Sequence, residues 1–70
     1  MTTLDEIREK LIEAIKYSGK SQKEIAEAIG VKPPQISCYL HGKKMPALDT
    51  LSRLCEFLDI DANYILCVKN

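Results

Sequence analysis

The sequence has no tryptophan, one phenylalanine, one histidine, three glycines and three prolines in 70 residues, and its formal net charge is zero. Each scarcity excludes something. One histidine, no nucleophile motif and no glycine-rich phosphate loop leave nothing with which to assemble a catalytic site, so neither an enzyme nor a bound cofactor or metal is expected. The cysteines, Cys38, Cys55 and Cys67, are odd in number and lack C-x-x-C spacing, which argues against a closed disulfide framework and against a zinc site. They are expected to be reduced thiols, mostly small core residues. A run of ~18 apolar residues is also missing, and the segment MTTLDEIREKLIEAI is charged and amphipathic rather than a signal peptide. A soluble, cytoplasmic chain with no membrane association is therefore expected. At this length we expect one domain over residues 1–70, without room for an effector domain, burying only about 60% of its unfolded surface. Dimerisation would add to so modest a core.

Strand signals are absent as well: there is no sustained period-2 run and no hairpin dipeptide such as Asn-Gly. What is present is helical periodicity. Leu4, Ile7, Leu11, Ile12 and Ile15 recur at three- and four-residue spacing, predicting a first helix from about Thr3 to Ser18, ended by Gly19. Its early acids, Asp5, Glu6 and Glu9, are well placed against the helix dipole. A fourth helix is predicted by Leu48, Leu51, Leu54, Cys55 and Leu58, starting near Ala47 to Asp49. A short fifth follows the N-cap Asp61, from Ala62 to about Cys67. The connections are only a few residues long, as a compact all-α, five-helix domain requires.

Between these lies Ser21 to Leu40, SQKEIAEAIGVKPPQISCYL. Ser21 with Glu24 three residues on has capping-box spacing, which starts a helix at Ser21. Ile25, Ala26 and Ile29 line one face until Gly30, which tolerates the left-handed backbone that ends a helix. Val31 fills the crease. Pro33 and Pro34 suit a first turn whose amides have no intrahelical acceptor, so they start a third helix whose apolar face is Ile36, Tyr39 and Leu40. Two helices joined this tightly form a helix-turn-helix, whose second helix turns its outer face outward, where it can enter a DNA major groove.

Zero net charge runs against nucleic-acid binding, because phosphates are neutralised by basic side chains; the distribution answers this. Residues 1–15 carry two bases against four acids, a net of −2, and residues 46–70 likewise carry −2, whereas residues 16–45 carry six lysines against Glu24 and Glu27, a net of +4. Between Ala28 and Leu48 there is no acid at all.

These residues resemble the phage repressor, Cro and Xre type of helix-turn-helix regulator. The resemblance runs through Gln22, Ala26, Gly30-Val31, Ile36-Ser37, Tyr39 and Gly42, then Pro46, Thr50-Leu51, Leu54, Leu58-Asp59-Ile60 and Asn63-Tyr64-Ile65-Leu66. It implies a five-helix repressor-like fold and a sequence-specific transcriptional regulator, a repressor, bound as a homodimer to a two-fold operator in double-stranded DNA. The third helix is then the recognition helix, with base-contacting positions on Pro33, Pro34 and Cys38 and with Gln35 and Ser37 nearby. The chain departs from the family here, which often supplies glutamine, asparagine, serine or arginine. Proline offers no side-chain hydrogen bond, so Pro33 and Pro34 read bases only by apolar contact, or serve only to initiate the helix. Gln35 suits adenine or a phosphate. Cys38 suits a thymine methyl, or an exposed thiol whose oxidation blocks DNA entry.

Phosphate contacts fall to Gln22, at the family's backbone-clamp position, and to Lys43 and Lys44 just after the recognition helix, with Lys32 and His41 as further candidates. Tyr39 closes the core, with its hydroxyl within reach of a phosphate. The family's dimer surface lies near the C-terminal helices, which here offers Tyr64, Ile65, Leu66, Cys67 and Val68; the alternative is that most of these are core. A different reading of the whole chain is a protein-binding module of the same fold, an antitoxin or a partner-regulating adaptor, which neutral charge and prolines at reading positions favour.

Overall fold

The computed structural model describes residues 2–68, which form five helices and no strand. Helix α1, Leu4–Lys16, is capped by Thr3, whose hydroxyl accepts the Glu6 amide at 3.2 Å. Thr3 is thus the cap rather than the first helical residue. The far end stops short of Ser18, whose hydroxyl donates to the Ile15 carbonyl at 2.8 Å, and Gly19 follows at φ +75°. Helix α2, Gln22–Ile29, begins on the capping box that its sequence predicts: the Glu24 amide donates to Ser21 Oγ at 3.0 Å and the Ser21 amide to Glu24 Oε1 at 3.3 Å. Helix α3, Pro33–Leu40, follows directly, and α4, Leu48–Leu58, starts from Ala47, inside its predicted window. Helix α5, Ala62–Ile65, is capped by Asp61, which accepts the Asn63 amide at 2.9 Å.

Four of these helices end in one way. Beyond α2, α3, α4 and α5 a residue with positive φ stands at Gly30, Gly42, Asp59 and Cys67. The next amide then reaches back five residues, Val31 to Ala26 O, Lys43 to Cys38 O, Ile60 to Cys55 O and Val68 to Asn63 O, at 2.8–3.0 Å. This Schellman closure satisfies carbonyls that a helix end otherwise leaves open. The left-handed backbone at Cys67, φ +59°, is also why α5 stops at Ile65 instead of running to Cys67 as its sequence predicts. Neither Asp59 nor Cys67 announces such a conformation, which glycine adopts without strain.

The core is Leu11 and Ile15 of α1, Ile25, Ala26 and Ile29 of α2, Ile36 and Tyr39 of α3, Leu51, Leu54 and Cys55 of α4, and Ile65 of α5. Helix α3 packs on α1 and α2, and α2 on α4. Val31 sits half-buried against this core, in the crease between the two motif helices. Of the three free thiols only Cys55 belongs to the core; Cys38 and Cys67 are half-buried. Arg53 of α4 ties the corner down from outside, its Nη1 donating to the last carbonyl of α2, Ile29 O, at 3.3 Å.

Fully buried aliphatic side chains leave a cavity when truncated, whereas an N-cap loses one hydrogen bond. Leu54→Ala should therefore lose ~2–5 kcal/mol of stability, and Ser21→Ala about 1 kcal/mol, both read by urea denaturation with circular dichroism. Equal losses would contradict this ordering.

Candidate nucleic-acid interface

Helix α3 buries Ile36 and Tyr39, and that choice of face decides what is left outside. Pro33, Pro34 and Gln35 are exposed, while Ser37 and Cys38 are half-buried on the flank. Lys32 is the N-cap and His41 the C-cap, both exposed, and Lys43 and Lys44 are exposed in the turn beyond. Eight helical residues span about 12 Å at ~1.5 Å per residue, close to the ~12 Å width of a B-DNA major groove. Cationic groups thus stand at both ends of an outward helix of groove-spanning length. His41 at the C-cap and the turn lysines also lie at the negative end of the α3 dipole, since α3 carries no basic residue in its own last turn.

The two helix starts differ in what backbone they offer. At α3 the first two residues are Pro33 and Pro34, which have no N–H, and the Gln35 amide is spent on Lys32 O at 2.9 Å. The first three residues of α3 present no spare backbone donor to an anion. At α2 the capping box occupies the Glu24 amide, and the amides of Gln22 and Lys23 precede any intrahelical acceptor. Gln22 is exposed there. An anion at this helix pair therefore finds backbone donors at α2 and only side-chain charge at α3.

The +4 of the middle segment is not all on this surface. Lys20 is engaged elsewhere, over the Phe57 ring of α4, with Nζ 5.2 Å from its centroid. Two residues that contact the ends of the motif helices escape sequence reasoning: Arg53, whose Nη1 donates to the corner carbonyl of Ile29, and Arg8 of α1, which lies against Gly42 beyond α3. Both reach across 24 or more residues, and no local pattern signals either.

The C-terminal residues read as a dimer surface divide. Ile65 is 1% exposed and belongs to the core, so it offers no surface, whereas Tyr64 and Val68 are 51% and 54% exposed. Tyr64 lines a shallow groove with Ala14, Tyr17 and Ile60, and Lys10 Nζ stands 4.5 Å from its ring centroid. Leu66 instead lines an apolar groove of about 160 Å³ with Leu4, Met45 and Leu48. Tyr64 and Leu66 thus look onto different grooves. Among the described residues no cluster of three or more His, Cys, Asp or Glu side chains could share a metal ion, and no helix is long and apolar enough to cross a membrane.

The sequence profile of the helix-turn-helix family matches residues 6–65, from α1 to the end of α5. The chain belongs to the Xre/Cro-type helix-turn-helix family. No curated protein and no solved structure matches it. The match spans both motif helices and the helices that support them, and it makes the chain a DNA-binding helix-turn-helix regulator. The geometry agrees: two helices joined at Gly30, the second with Pro33, Pro34 and Gln35 exposed and with lysines at both ends.

Two buried groups give this helix-turn-helix domain a pH dependence. The Tyr39 hydroxyl of α3 is raised above its ordinary 10.0 by burial and then by the neighbouring Cys38. The Cys55 thiol of α4 is raised above 9.0 by burial and then by Asp61. A raised value means that the folded state favours the neutral form, so the contribution is complete below the ordinary values and is lost as pH rises through the folded ones. Stability should hold up to about pH 8 and fall across the alkaline range above about pH 9. Urea midpoints across that range check this, and Cys55→Ala should flatten the first part of the decline.

Proposed function

We propose that this chain is a sequence-specific transcriptional repressor that acts in the cytoplasm and binds a two-fold operator as a homodimer, with α3 in the major groove. The observation that carries the reading is the outward α3, with Lys32 at one end and His41, Lys43 and Lys44 at the other, in a chain of this family. Pro33, Pro34, Gln35, Ser37 and Cys38 face the base edges. Gln35 supplies the principal hydrogen-bonding side chain, and the prolines and Cys38 supply apolar contact such as a thymine methyl accepts. Gln22, with the first amides of α2, clamps one phosphate, Lys32, Lys43 and Lys44 neutralise others, and His41 offers a further hydrogen-bond contact. With so few polar groups on the reading face, phosphate contacts and DNA shape carry a large share of affinity and specificity.

Size supports the two-fold arrangement. The longest dimension is 33 Å, close to one turn of B-DNA at ~34 Å, so one copy covers one half-site and two copies are needed for two. Tyr64 and Val68 are the exposed apolar residues of the C-terminal region available for the second copy, while half-buried Leu66 faces the separate groove beside Leu4 and Leu48. Repression then needs no chemistry, since a dimer seated on a promoter excludes polymerase.

Selection of bound duplexes from a random pool should return a two-fold sequence with half-sites about one helical turn apart. Affinity for it should fall linearly in log–log form with salt, by ~0.9 per phosphate neutralised. Lys43→Ala and Lys44→Ala should each lower that slope by about 1 and weaken all sequences alike, whereas Gln35→Ala should cost ~1–3 kcal/mol at one base position and relax preference there. No shift of any duplex at low salt would reject the repressor reading and leave a protein-binding module of the same fold, with the groove beside Tyr17 and Tyr64 as its surface.

A further inference from the structure

The turn that carries Lys43 and Lys44 is seated from α1, an element outside the motif. Gly42 has φ +71°, its amide donates to Tyr39 O at 3.2 Å, and the Lys43 amide donates to Cys38 O at 2.9 Å. The Arg8 side chain lies directly over Gly42. A Cβ at Gly42 would stand 3.0 Å from Arg8 Cδ, a tight contact that the arginine would have to relieve by shifting, and 3.6 Å from Nε, so a side chain at position 42 is opposed first by the left-handed backbone and then by crowding against the arginine. Arg8 is held in that place at its far end, where Nη1 meets Asp5 Oδ1 at 2.8 Å, and its side chain is only 31% exposed. Its Nε is buried with no hydrogen-bond partner. Leaving such a donor unmet is costly, and the contacts that keep the side chain there are the ion pair to Asp5 and the packing against Gly42.

Electrostatics point the same way. Helix α3 has no basic residue in its last turn, and the Arg8 guanidinium, brought from α1, stands beside the residue that closes that end, where a positive charge is favourable. Asp5 is largely exposed, so the ion pair orients the guanidinium more than it stabilises the fold.

We propose that Arg8, oriented by Asp5, is a positioning residue for phosphate contact: lying across Gly42, it fixes the height of the Lys43–Lys44 turn relative to α3. This rests on the reading of Lys43 and Lys44 as phosphate-contacting groups. The arginine keeps the turn in the Schellman geometry before DNA arrives, so the two ammonium groups reach their phosphates without first ordering the backbone beneath them.

The test uses the full chain and a labelled duplex of arbitrary sequence, about two helical turns or roughly 21 base pairs long, because phosphate contacts do not depend on sequence. Arg8→Met keeps the apolar stem and removes the guanidinium. It should lower the salt slope by about 2, as the Lys43→Ala/Lys44→Ala double variant does, and add nothing when combined with that double variant. Hydrogen exchange at the Lys43 amide should accelerate about tenfold or more in Arg8→Met without DNA, while core amides keep their protection. Asp5→Asn, at an exposed residue, preserves the fold and should show both changes at smaller size. An unchanged slope, losses that add to those of the lysine variants, or unchanged Lys43 exchange would overturn the proposal. If Arg8→Met does not fold, Asp5→Asn alone decides by the same readouts. Should the unsubstituted chain bind no duplex at low salt, the repressor reading falls, and Lys43 exchange still judges whether Arg8 seats the turn.

Discussion

Helix α3 cannot stand by itself. Eight residues are too few for an autonomous helix in water, and two of them are prolines that contribute no backbone donor. What holds it is the burial of Ile36 and Tyr39 between α1 and α2. Ile36 is completely enclosed, and fixing it fixes the rotation of the helix about its own axis. Everything presented outward, from Pro33 and Gln35 to Cys38 and His41, is the complement of that one apolar commitment. The interface is thus the reverse side of a packing decision made in the core.

Secondary contacts then hold the helix pair from outside. Arg53 closes the last carbonyl of α2, and Arg8 lies over the turn that ends α3. Both arginines come from helices that bracket the motif in sequence, one before it and one after. The family match likewise extends from residue 6 to residue 65 and takes in these supporting helices along with the motif.

Much of this was legible in the sequence because its signals are local. The Ser21–Glu24 box, the glycine at position 30 and the diproline at 33 each act within one helical turn, and each starts or ends a helix where its chemistry requires. The buried face of α3, Ile36 and Tyr39 with Leu40 packed against it, follows from periodicity alone. Less legible were the ends governed by non-glycine residues. Asp59 and Cys67 take the left-handed backbone because tertiary packing and the Schellman bonds outweigh their local preference. Periodicity likewise could not separate Ile65, which is core, from Tyr64, which is surface, because in a helix of four residues every position is within one turn of every other, and exposed Val68 lies past the left-handed Cys67, where the helical period no longer applies. The roles of Arg8 and Arg53 depend on contacts across the fold and leave no trace in the spacing around them.

The two prolines at the start of α3 act on the unfolded chain as well as the folded one. Each fixes its own φ near the helical value; fewer conformations are available to lose, and the entropy lost in forming the helix is reduced. A helix preset in this way is ordered before it meets a ligand. Association should then proceed as the docking of a rigid surface, with its thermodynamics dominated by released counterions and water rather than by coupled folding. In the proposed binding mode, a reading face with little hydrogen-bonding chemistry would offer a stiff shape instead, and stiffness is what would let a duplex be judged by how readily its groove conforms.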